Sequence, residues 1–189
     1  MLDTATLTAL FHGLVRSAIQ AQQVCVSEDT ESYLVHLLAA FARPSRADLL
    51  DPPLGIDYLQ ALQLPASQRH GRLRRVGDTA LFLTGLFLEH LEQTLVGPAY
   101  YATLGRTAYA RLSADEPHRG LATSFTELSR RFEDFVRVLG EIGDRELFRS
   151  DRDTLRIYRR WLLTRGPRDA DTLIRRGVIP FSPSGDSRH

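Results

Sequence analysis

Histidine and carboxylate side chains are the first candidates for chemistry in this chain, because together they bind metals and transfer protons at neutral pH. A di-iron carboxylate bundle needs Glu-x-x-His on two helices, but none of the six histidines has a glutamate three residues before it. His-Glu-x-x-His is also absent, and a single cysteine leaves no Cys/His cluster for zinc. The sequence therefore predicts no metal site and no cofactor.

A second candidate is a small-ligand pocket built from hydroxyl, imidazole and charged side chains. Tyr100, Thr103 and Thr107 fall at positions i, i+3 and i+7, so a helix would place their hydroxyls on one side. His90 follows a mostly apolar stretch, where a buried imidazole can transfer protons or bind haem iron. The predicted pocket residues are Asp78, His90, Tyr100, Thr103, Arg106 and Thr107.

The same residues also have an ordinary structural interpretation. A histidine on an apolar helix face is commonly a core residue with one hydrogen bond, and tyrosines are common at the margins of a core. No second axial ligand for haem can be assigned. The pocket is therefore an alternative and not the leading hypothesis.

Nucleophilic catalysis is not indicated by any motif. Cys25 has no adjacent base, which predicts a buried and inert thiol. The nucleophile elbow Gly-x-Ser-x-Gly is absent, and the glycines form no phosphate-binding loop pattern. These absences favour a protein without enzymatic activity.

The arginines are the remaining candidates, because many of them fall in two groups. The first group is Arg69, Arg72, Arg74 and Arg75, and the second is Arg152, Arg156, Arg159 and Arg160 beside Trp161. Most members have no acidic residue four positions away, and the guanidinium fork suits carboxylates at interfaces. We predict that both groups bind a partner protein. The second group forms a basic stripe on a helix, so nucleic-acid phosphates are an alternative ligand.

The excess of arginine is explained by genome composition and does not by itself indicate a function. All 24 basic residues are arginine, and lysine and asparagine are both absent, which indicates a GC-rich, bacterial genome. The acidic residue at position 3 and the lack of an apolar run of about 18 residues predict neither a signal peptide nor a membrane span. A lone cysteine fits a reducing compartment, so we predict a cytoplasmic protein.

Apolar periodicity predicts the helices that must position these residues. Residues 117–140 repeat apolar side chains at spacings of four and three, as in the seam of one continuous helix. Residues 80–88 are apolar on every side, which predicts an enclosed central helix over about 78–95. Gly85 within it indicates either a close crossing by a neighbouring helix or a glycine that the helix merely tolerates. For a crossing, the helix after Pro98 is the candidate neighbour because its surface carries small residues.

The predicted fold is therefore all-α. A chain of 189 residues corresponds to one domain, and we predict a single-domain bundle of six to eight helices over residues 1–180, followed by a disordered tail at 181–189. The helices are predicted near residues 6–22, 28–43, 56–62, 67–95, 98–112, 117–140, 151–165 and 169–176.

The leading functional hypothesis is a non-enzymatic regulatory or accessory protein. It acts through protein–protein interaction, with a second copy or another protein as partner, and self-association as a homodimer is favoured. The first alternative is the ligand-binding or enzymatic pocket around His90 and Tyr100. The second is nucleic-acid binding through the C-terminal arginine stripe.

Overall fold

The computed structural model describes residues 4–41, 53–93, 96–143 and Arg168. These residues form eight α-helices and no strand, which confirms the predicted all-α bundle. The predicted helices at 151–165 and 169–176, the domain boundary at 180 and the tail at 181–189 lie outside the described residues. The helices are α1 Thr4–Ala21, α2 Glu28–Phe41, α3 Leu54–Leu62, α4 Ala66–Leu86, α5 Leu88–Leu91, α6 Pro98–Asp115, α7 Arg119–Arg130 and α8 Phe132–Ile142.

Helix α4 is the centre of the bundle. It packs against α3, α5, α6 and α8, while α2 packs against α1 and α7 and closes the other side. All but one of its residues from 76 to 86 are buried, and apart from Asp78 this stretch is apolar or small on every side. Tyr109, Phe125, Phe132 and Phe135 contribute the largest fully buried side chains around it. The other helices therefore pack around the buried, mostly apolar second half of α4.

The predicted limits of the central helix need correction. The prediction was one helix to about residue 95 with a possible break at Gly77, but α4 runs unbroken through Gly77 and ends at Leu86. Phe87 leaves the helical region with φ −129° and ψ 27°, and the one-turn helix α5 follows. Glu89 and Glu92 are exposed. The buried stretch of the segment therefore ends at Phe87, and Leu88 after it is 41% exposed.

The predicted continuous helix over 117–140 is in fact two helices. Arg131 separates α7 from α8, with φ −124° and ψ 34°. Its guanidinium donates hydrogen bonds to the Asp134 carboxylate and to the backbone carbonyl of Cys25, which lies on the loop after α1. The apolar seam nevertheless faces the core on both helices, because Phe125 and Phe132 on either side of the break are fully buried.

Gly85 lies at a close helix crossing, but the neighbour is α8 and not the predicted helix α6. A Cβ atom added at Gly85 would lie 2.4 Å from Cβ of Leu139, and a Cβ added at Gly140 would lie 3.5 Å from the Gly85 carbonyl oxygen. The small-residue surface of α6 packs on a more N-terminal part of α4. There Gly105 of α6 faces Ala80 of α4 and Phe132 of α8. Two close contacts thus bring both α6 and α8 against α4. No helix in the described residues is both long and apolar enough to cross a membrane.

Candidate functional site

Helix α3 is oriented against the usual polarity rule. Its one acidic residue, Asp57, is fully buried, whereas Ile56 and Leu59 are 49% and 61% exposed. Aliphatic side chains normally gain about 1.5–3 kcal/mol when they leave water, and carboxylates lose free energy unless they are paired. The helix therefore presents to solvent the residues that a monomer would be expected to bury.

Two arginines of α4 account for the burial of Asp57. Arg72 donates from Nη1 to Oδ1 of Asp57 at 3.2 Å, and Arg75 Nε lies 3.7 Å from Oδ2. Arg72 also donates to the side-chain oxygen of Gln60 at 2.9 Å. These contacts attach α3 to α4 through its charged residue, so Ile56 and Leu59 lie on the opposite, outer side.

Tyr100 extends the apolar surface of α3 onto α6. Its hydroxyl lies against Gly55, since a Cβ added at Gly55 would lie 2.1 Å from the tyrosine oxygen. Gly55 and Leu59 are one helical turn apart, so the 43% exposed Tyr100 side chain lies on the side of α3 that also carries Leu59. We call the surface formed by Ile56, Leu59 and Tyr100 the α3 face.

A second feature is a buried network around Asp78, which the sequence placed in the ligand pocket. Oδ1 of Asp78 accepts hydrogen bonds from the hydroxyls of Tyr33 at 2.5 Å and Tyr109 at 2.9 Å. Arg74 lies with Nε 3.6 Å from Oδ2 of Asp78 and its guanidinium 4.9 Å from the centre of the Tyr33 ring. The ring of Phe125 packs on both tyrosines. The network therefore connects α2, α4, α6 and α7.

This environment keeps both tyrosines protonated. Burial raises the pKa of Tyr33 and of Tyr109 well above 10, and the negative charge of Asp78 raises both further. A phenol with a raised pKa is a poor general base at neutral pH. The geometry is that of hydrogen-bond donors locked onto a buried carboxylate, which suits structural support.

We expect the stability of the fold to fall steeply in alkali because of these tyrosines. Their pKa values are raised on folding, so their contribution is complete below the unfolded value near 10 and is lost as pH rises above it. Each buried tyrosine then lowers the unfolding free energy by about 1.4 kcal/mol per pH unit. The chain has no lysine, so the groups that titrate in this range are mainly its six tyrosines. Urea unfolding at pH 9.5, 10.5 and 11.5 measures the slope.

Tyr109→Phe is the variant that tests the assignment. Its alkaline slope should be shallower by the share of one tyrosine, even though the variant is less stable at pH 7. Val138→Ala, which removes fully buried apolar atoms and no titratable group, serves as the control and should keep the native slope although it also lowers stability. Equal slopes for the native chain and Tyr109→Phe would contradict the prediction.

The other residues of the predicted pocket occupy different environments. Thr103 and Thr107 are exposed, and their hydroxyls donate to backbone carbonyls of their own helix. Arg106 is exposed and pairs with Glu133 at 3.0 Å. Tyr100 belongs to the α3 face, and the side chain of His90 lies outside what the structure describes. Among the described side chains, Asp78 alone of this set is buried.

The first arginine group is engaged within the chain. Arg69 pairs with Asp115, Arg72 and Arg75 with Asp57, and Arg74 with Asp78. All four guanidinium groups therefore have carboxylate partners, three of them outside the i, i+4 positions that a sequence pattern can reveal. The second group, Arg152, Arg156, Arg159 and Arg160 with Trp161, lies outside the described residues.

The exposure of Cys25 differs from the prediction, and the contact made by His70 was not predicted. Cys25 is exposed and not buried, because it lies on the loop between α1 and α2. His70 contacts the buried carboxylate of Glu116 at 2.6 Å and packs against Phe125. Their separation of 46 residues gives no sequence signal for this contact.

Within the described residues, no group of three or more histidine, cysteine, aspartate and glutamate side chains is arranged to hold a metal ion.

Comparison with known proteins adds no assignment. No protein-family model, no curated protein and no solved structure matches the chain significantly. The function must therefore be argued from the residues themselves.

Proposed function

We propose that this chain is a non-enzymatic regulatory or accessory protein that acts by binding protein through the α3 face. The observation that carries the proposal is the orientation of α3, which buries Asp57 and leaves Ile56 and Leu59 in water. Single exposed aliphatic residues are ordinary, but adjoining apolar residues on one surface mark interaction sites. The partner is a second copy of the chain or another protein.

The chemistry of the described polar side chains supports the same proposal. The carboxylates of Asp57 and Asp78 are bound to arginine and tyrosine side chains, and burial raises the pKa of both Tyr33 and Tyr109. An interface core is depleted of charge and enriched in tyrosine and aliphatic area, and the α3 face has this composition.

A photo-crosslinking amino acid at Gln63 tests the proposal in the organism that encodes the chain. Gln63 is exposed and lies one helical turn beyond Leu59, so a protein bound to the α3 face is within its reach. We expect crosslinked adducts at Gln63, and we expect Leu59→Glu to reduce their yield about tenfold, because a charge at an apolar contact costs at least about 1.4 kcal/mol.

The matched control is Leu10→Glu, because Leu10 is a 50% exposed leucine on α1, away from the α3 face. It should leave the Gln63 adducts unchanged. Both variants should keep the native unfolding free energy within about 0.5 kcal/mol, since both positions are exposed. Adducts that are absent, or equally frequent with and without Leu59→Glu, would show that the α3 face binds no protein.

A further inference from the structure

We draw no further inference here: the strongest candidate, the apolar α3 face of Ile56, Leu59 and Tyr100, belongs to the site already described, and nothing in the part of the chain that the structure describes shows what covers it.

Discussion

Asp78→Ala should lower the free energy of unfolding by about 3–5 kcal/mol at pH 7. The substitution removes the acceptor of two buried hydroxyls, on Tyr33 and Tyr109, and each unsatisfied buried donor costs about 1–3 kcal/mol. It also leaves a small cavity between the two rings. A domain of this kind is stable by roughly 5–15 kcal/mol, so urea denaturation followed by circular dichroism should show a large shift of the midpoint.

A surface carboxylate provides the control for Asp78→Ala. Glu133 pairs with Arg106 at 3.0 Å, and both side chains are more than half exposed. Replacement of Glu133 by alanine should cost about 1 kcal/mol or less, because exposed ion pairs contribute little.

The rescue experiment shows whether unsatisfied hydroxyls are the cause. Adding Tyr33→Phe and Tyr109→Phe to Asp78→Ala removes the two orphaned donors, so the triple variant should be more stable than Asp78→Ala alone. If Asp78→Ala unfolds within about 1 kcal/mol of the native chain, or if the triple variant is less stable than the single one, the network does not support the fold as argued.

Apolar periodicity was sufficient to predict the helices but not where they end. The buried stretch of α4 follows from residues that are almost all apolar or small, and the seam of α7 and α8 follows from local spacing, because an amphipathic helix buries one face. The break at Arg131 depends instead on a contact with the Cys25 carbonyl, which is 106 residues away in the chain. Contacts between residues so far apart in the chain leave no periodic pattern in the sequence. An apolar seam that predicts one helix can therefore still be interrupted.

The orientation of α3 could not be predicted from local sequence for the same reason. A short helix over residues 56–62 was predicted, but the usual polarity rule would turn Ile56 inward and Asp57 outward. The structure has the reverse, because Arg72 and Arg75 pair with Asp57 across the turn between α3 and α4. The carboxylate partners of the first arginine group were likewise hidden, since Asp57 and Asp115 belong to other helices. A guanidinium without a local acid is therefore weak evidence for an external partner.

Helices α4 and α8 cross at Gly85 with no room for a side chain. Gly85→Ala should destabilise the fold by about 1–3 kcal/mol, although alanine is the better helix former by about 1 kcal/mol. The new methyl would lie 2.4 Å from Cβ of Leu139, an atom fixed to the backbone of α8, so relief requires the helix itself to move. Urea unfolding of the variant at pH 7 gives the value.

Gly71→Ala in the same helix is the control that fixes the sign. Gly71 is exposed, and a Cβ added there meets nothing within 4 Å, so only the gain in helix propensity remains and the chain should become more stable by about 0.5–1 kcal/mol. A double-mutant cycle then identifies the clashing atom. Leu139→Gly removes that Cβ and should couple strongly to Gly85→Ala, whereas Leu139→Ala keeps it and should couple weakly. A stabilised Gly85→Ala chain, or equal coupling in the two cycles, would mean that α8 moves enough to accommodate the added methyl group.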